Sequence, residues 1–110
     1  MAKVVYWVQD LLFTSKIREV AKQLGVEAVA VRDGAALEAA AKDAQLLIVD
    51  LRLPPVMAAL EKLKDAPVQK VGFIDHERED VIERARTLGV RALAKGKFST
   101  ELPNLLGFLS

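Results

Sequence analysis

The residues best suited to chemistry in this chain are polar side chains that directly follow short apolar segments. Asp50 is the most informative of them, because it ends the run Leu47-Ile48-Val49, which is otherwise suited to the protein interior. A carboxylate in such a place is costly to bury unless a cation, a hydrogen-bond donor or solvent reaches it. Asp50 therefore either accepts hydrogen bonds from the first amides of the next helix or belongs to a functional site, and we favour the functional site.

A second carboxylate, Asp10, follows the first apolar segment of the chain. Asp10, Asp50 and water could together hold Mg²⁺, which prefers octahedral oxygen ligands and a phosphate partner. The alternative for Asp10 is a solvated loop residue that binds nothing. Asp10 and Asp50 are thus the candidate metal ligands.

Two lysines, Lys95 and Lys97, follow the last apolar segment, where either could pair with a carboxylate or contact a phosphoryl group. The alternative is that both are ordinary solvated lysines.

The one histidine, His76, stands beside Asp75 after the fourth segment, and no second histidine or cysteine accompanies it. We expect no catalytic residue and no enzymatic activity, because the chain also lacks a Ser/His/Asp arrangement, an HExxH motif and a glycine-rich phosphate loop.

Length and composition restrict the classes of protein further. With 110 residues and 12.1 kDa, the chain is predicted to form one domain over residues 1–110. Lys and Arg total 16 against 15 for Asp and Glu, so there is no strong field to attract nucleic acid or a membrane surface. Without cysteine, a signal peptide or a long apolar stretch, the expected location is the cytoplasm.

Five apolar segments alternate with five helical patterns and must position these polar residues. Strands are predicted at residues 3–8, 28–31, 46–51, 68–74 and 90–94. Helices are predicted at residues 14–24, 35–42, 54–63 and 78–88, and beyond a cap at Ser99 or Thr100. The chain is therefore a series of strand–helix units.

The helix ends carry their own signals. Thr14 or Ser15 is the predicted N-cap of the first helix, and Gly25 is its predicted end. In the last helix Pro103 is expected in the first turn, where backbone N–H groups have no helical partner to lose.

Strands and helices that alternate in this way pair in parallel through right-handed crossovers. The predicted fold is an α/β, flavodoxin-like three-layer sandwich with a five-stranded parallel sheet of order 2-1-3-4-5 and helices on both faces. In such sheets ligands bind at the carboxyl ends of the strands, where the strand order reverses. The candidate residues are all expected at that edge.

Three segments resemble the receiver domain of bacterial two-component response regulators, the CheY-like family, over essentially the whole chain. LLIVDLRLPP is similar to the family's third strand, in which the phosphorylated Asp precedes a Pro by four residues, as Asp50 precedes Pro54. DAPVQKVGFI is similar to its fourth strand, and ARTLGVRALAKGK to the helix, glycine and fifth strand before its lysine. The resemblance implies that Asp50 is a phosphoacceptor served by a histidine kinase or a phosphotransfer protein. It also implies Mg²⁺ at Asp10 and Asp50, and Lys95 or Lys97 on the phosphoryl group.

The chain also departs from the family at the site. The first strand ends with one acid, Asp10, in place of a pair, and the fourth ends with Asp75 in place of Thr or Ser. Lys95-Gly96-Lys97 replaces the family's Lys-Pro, and the fifth strand lacks its switch aromatic. This pattern resembles the atypical or pseudo-receivers, which keep the fold for protein contacts.

Three functions stay open at this point. The chain is a stand-alone signalling receiver phosphorylated on Asp50, or a phosphorylation-independent module for docking or homodimerisation through the side of the last two helices and the fifth strand. The third is a small flavodoxin-like domain that binds a nucleotide or flavin. In the first two cases we expect the output to come from a partner protein.

Overall fold

The computed structural model describes residues 3–109, which form a five-stranded parallel sheet with helices on both faces. The strands are β1 (Lys3–Trp7), β2 (Glu27–Ala30), β3 (Leu46–Asp50), β4 (Gln69–Ile74) and β5 (Arg91–Ala94). The helices are α1 (Leu11–Leu24), α2 (Gly34–Ala41), α3 (Pro54–Lys62), α4 (Glu79–Thr87) and α5 (Lys95–Gly107). The sheet order is β2-β1-β3-β4-β5, which confirms the predicted flavodoxin-like fold.

The sheet separates two apolar layers, and its central strand β3 is buried over its whole length. Side chains from α2, α3 and α4 pack on one face, and side chains from α1 and α5 pack on the other. Successive residues of a strand point to opposite faces. Val5 and Trp7 of β1 therefore join the first layer, while Val4 and Tyr6 join the second.

Three phenylalanines tie α1 and α5 to the sheet. Phe73 of β4 stacks on Phe98 of α5 with ring centroids 4.6 Å apart, and Phe13 of α1 lies 4.8 Å from Phe73 and 5.8 Å from Phe98. Phe73 is also the β4 residue paired in register with Asp50. This aromatic cluster therefore fixes the sheet next to the residue of greatest interest.

Helix α1 begins earlier than predicted. Its N-cap is Asp10, whose carboxylate accepts hydrogen bonds from the first turn, and not Thr14 or Ser15. A capping aspartate satisfies amides that have no partner within the helix, so the helix can start directly after β1. Gly25 ends α1 as predicted, in the left-handed conformation with φ of 70°.

Helix α5 also begins earlier, at Lys95, with Ala94 at the N-cap position and no side-chain cap. The predicted caps Ser99 and Thr100 lie inside the helix, and Pro103 lies in its interior and not in its first turn. The other predicted boundaries agree with the observed ones to within one residue. Between residues 3 and 109 no helix combines the length and apolar character that a membrane crossing requires.

Candidate functional site

The candidate residues meet at the carboxyl edge of the sheet, as parallel strands require. Asp50 is the last residue of β3, and Asp10 and Asp75 follow β1 and β4. Lys95 is the first residue of α5, directly after β5. Three carboxylates and one lysine thus lie around the point where the strand order reverses, between β1 and β3.

Asp50 is completely buried, and both of its carboxylate oxygens accept hydrogen bonds from Arg52. The Arg52 side chain donates from Nε to Oδ1 at 3.2 Å and from Nη2 to Oδ2 at 3.2 Å. The Arg52 backbone N–H donates to Oδ1 at 3.1 Å. Asp50 therefore accepts one hydrogen bond from a backbone amide and two from the guanidinium of Arg52.

The turn that follows β3 creates this contact. The backbone N–H of Leu53 donates to the carbonyl oxygen of Asp50 at 3.1 Å, which folds the chain back within three residues. Pro54 then occupies the first turn of α3, where its fixed φ suits helix entry. The turn brings the Arg52 guanidinium over the carboxylate that precedes it by two residues.

Asp10 faces the same guanidinium from the N-cap of α1. Its Oδ1 accepts from the backbone N–H of Leu12 at 2.9 Å and of Phe13 at 3.2 Å, and its Oδ2 lies 3.7 Å from Arg52 Nη2. Arg52 therefore bridges Asp10 and Asp50.

The electrostatics reflect this arrangement. The pKa of the Arg52 guanidinium is raised above its ordinary value, first by its hydrogen bonding with Asp50. Burial opposes the shift, and the charges of Asp50, Asp10 and Asp75 reinforce it. Arg52 therefore stays positively charged beside these three carboxylates.

The two lysines occupy different environments. Lys95 Nζ lies 3.5 Å from Asp75 Oδ1 at the strand ends, and its side chain is mostly covered. Lys97 Nζ lies 3.7 Å from Glu101 Oε1, an i,i+4 pair along α5. His76 is exposed and its Nε2 lies 3.8 Å from Glu77. Lys95 is therefore the lysine that the fold brings to the site.

Mg²⁺ does not fit this set of donors as it stands. Both carboxylate oxygens of Asp50 already accept hydrogen bonds from Arg52, and one oxygen of Asp10 accepts hydrogen bonds from two backbone amides of α1. Within residues 3–109 no group of three or more His, Cys, Asp or Glu side chains is arranged to hold a metal ion. A hard dication needs free oxygen ligands, and here a guanidinium lies against them.

Arg52 is the site residue to which the sequence pattern assigned no role. The available signal was the Asp-x-Arg spacing before Pro54-Pro55, since a proline-led helix start forces a short turn after β3.

The comparisons with known proteins concern the fold. No family model matches the chain, and no curated protein matches it. A response regulator from Hahella chejuensis superposes with a TM-score of 0.81 at 17% identity, over 99% of this chain and 95% of that one. The CheY-like protein tadZ from Pseudomonas aeruginosa gives 0.78 at 20% identity, over 100% of both chains. The chemotaxis response regulator CheY4 of Vibrio cholerae gives 0.76 at 16%, over 100% and 99%. This chain therefore has the fold of the CheY-like response-regulator receiver domains.

Proposed function

We propose that this chain is a cytoplasmic receiver-like signalling module that acts through contacts with a partner protein and does not depend on phosphorylation of Asp50. The observation that carries the proposal is the complete burial of Asp50 with both carboxylate oxygens on Arg52. The fold supports the signalling role by analogy, since fold alone does not fix function.

Phosphorylation of an aspartate requires a carboxylate oxygen that can reach the incoming phosphorus in line. Neither side-chain oxygen of Asp50 is open to solvent, and each is 3.2 Å from a guanidinium nitrogen. Attack would require Arg52, whose side chain is 39% exposed, to leave first, which strips the buried Asp50 carboxylate of its cation. Such a separation is costly when one charge stays behind in the interior.

The surroundings of Asp50 also disfavour a phosphoryl group. Asp75 adds a third negative charge to the edge that would receive it, and Lys95 is already paired with Asp75. Like charges at close range oppose the approach of a phosphate. The phosphorylated alternative, with a histidine kinase or phosphotransfer protein as donor, therefore has less support than the phosphorylation-independent one.

The nucleotide or flavin alternative has less support for a similar reason. A phosphate would bind most readily at the first-turn amides of α1, next to the strand reversal. The carboxylate of Asp10 already accepts from those amides, at Leu12 and Phe13. An aspartate at that place repels the anion that the alternative requires.

Incubation with acetyl phosphate and Mg²⁺, followed by intact-mass measurement, tests the proposal. We expect the mass to stay unchanged under conditions that fully modify a conventional receiver run in parallel. Asp50→Asn serves as the blank for modification at other residues. The added mass of one phosphoryl group in the wild-type protein, absent from Asp50→Asn, would refute the proposal.

A further inference from the structure

We infer that the Arg52 guanidinium is the resident cation of this site and that it keeps divalent cations away from Asp10 and Asp50. The inference deepens the proposed function and rests on it. According to this inference, the presence of Arg52 determines whether Asp10 and Asp50 bind a metal ion.

The first support is position. Arg52 Nη2 lies 3.2 Å from Asp50 Oδ2 and 3.7 Å from Asp10 Oδ2, between the carboxylates at the end of β3 and at the N-cap of α1. A Mg²⁺ ion that used both carboxylates would need the same space, with oxygens at about 2.0–2.1 Å. The guanidinium and the ion therefore exclude each other.

The second support is that Arg52 is held there by its own backbone. Its amide donates to Asp50 Oδ1 at 3.1 Å, and the next amide, of Leu53, donates to the Asp50 carbonyl. The side chain starts from a fixed point two residues beyond the carboxylate, so little conformational freedom is lost when it folds back. A planar guanidinium also matches two carboxylate oxygens at once.

The third support is charge. Asp50 and Asp10 contact Arg52, and the negative charge of Asp75 also favours its protonated form. Removing Arg52 leaves these carboxylates without their shared cation, and Asp50 then lies in the interior with only an amide donor. A small dication is the natural replacement, since carboxylate oxygens are its preferred ligands.

Mn²⁺ binding, measured by titration calorimetry and by the electron paramagnetic resonance signal of the free ion, tests the inference. We expect no saturable binding by the wild-type protein at millimolar Mn²⁺. We expect Arg52→Ala to bind at least about tenfold more tightly, since one unit positive charge at contact distance has been removed. Asp50→Asn added to Arg52→Ala should abolish the gain.

Arg84→Ala is the matched control, because Arg84 on α4 pairs with Glu61 at 3.7 Å outside the site. It should not change Mn²⁺ binding. Wild-type binding as tight as that of Arg52→Ala would overturn the inference, as would a folded Arg52→Ala protein that binds no Mn²⁺. Circular dichroism reports the folding of each variant. Arg52→Gln is a second variant that removes the charge of Arg52 but keeps a long polar side chain.

If both Arg52 variants unfold in metal-free buffer, their spectra are recorded again with millimolar Mg²⁺. Recovery of the folded spectrum supports the inference, and its absence overturns it. The proposed function is tested separately, because it fails only if the wild-type protein is phosphorylated. An Arg52→Ala protein without Mn²⁺ affinity would remove the inference and leave an unphosphorylated Asp50 in place.

Discussion

Asp10 serves both the start of α1 and the ion pair at the strand ends. Its Oδ1 accepts from the amides of Leu12 and Phe13, while its Oδ2 lies 3.7 Å from Arg52. A side-chain cap of this kind stabilises a protein by about 1 kcal/mol, whereas a partly exposed ion pair contributes about 0–1 kcal/mol. Capping is therefore expected to be the main contribution of Asp10 to stability.

Substitution of Asp10 separates the two roles. We expect Asp10→Ala to lower the free energy of unfolding by about 1 kcal/mol, and Asp10→Asn to lower it much less, because asparagine caps helices as well as aspartate does. Urea denaturation measures both. Asp33→Ala, which removes the 2.7 Å cap of α2, is the reference for a cap outside the site. Equal losses in Asp10→Ala and Asp10→Asn would show that the charge matters more than the cap.

At the residue scale, the sequence predicted that Asp10 and Asp50 lie at one edge of the sheet, but not that Arg52 pairs with both. The ends of parallel strands share one edge, so Asp10 and Asp50 could be placed together from the strand pattern alone. The partnership with Arg52 depends on the turn after β3, which no periodicity reports. The choice between Lys95 and Lys97 required the first residue of α5, because residues two apart do not share a helix face.

The start of α5 shows why an element can be predicted while its boundary is not. The helical spacing of the leucines in this segment predicts the helix itself, at Leu102, Leu105, Leu106 and Leu109. Leu102 and Leu106 are fully buried, and Leu105 and Leu109 are partly buried. Ala94 gives no capping signal, and Gly96 in the first turn disfavours a helix, so the sequence pattern favoured a later start. The observed start places Pro103 well inside the helix.

Replacement of Pro103 tests that boundary. An interior proline costs a helix about 3 kcal/mol, of which up to about 1 kcal/mol is offset by its effect on the unfolded chain. We expect Pro103→Ala to raise the free energy of unfolding by about 2–3 kcal/mol in urea denaturation. Asn104→Ala, the exposed neighbour, should gain at most about 0.7 kcal/mol from helix propensity alone. A gain from Pro103→Ala no larger than that of Asn104→Ala would place the proline in a first turn after all.

At the scale of the whole molecule, the fold and the site depend on different residues. The parallel sheet and its two apolar layers follow from the alternation of apolar segments and helical patterns along the chain. The chemistry of the strand ends depends on a few polar side chains that do not contribute to those layers. A receiver fold can therefore keep its core while Arg52 closes the site around Asp50.

The contribution of the core to stability can be measured at the aromatic cluster of Phe13, Phe73 and Phe98. Phe98 is fully buried against Phe73 and Phe13, whereas Phe108 near the end of the described chain is 89% exposed. Phe98→Ala should lower the free energy of unfolding by about 3–5 kcal/mol through the lost transfer energy and the cavity it leaves. Phe108→Ala should stay within about 0.5 kcal/mol of the wild-type protein. The total free energy of unfolding of a native protein is only about 5–15 kcal/mol, so Phe98→Ala should be close to unfolding. A loss below about 1 kcal/mol for Phe98→Ala in urea denaturation would mean that α5 does not depend on this cluster to cover the sheet.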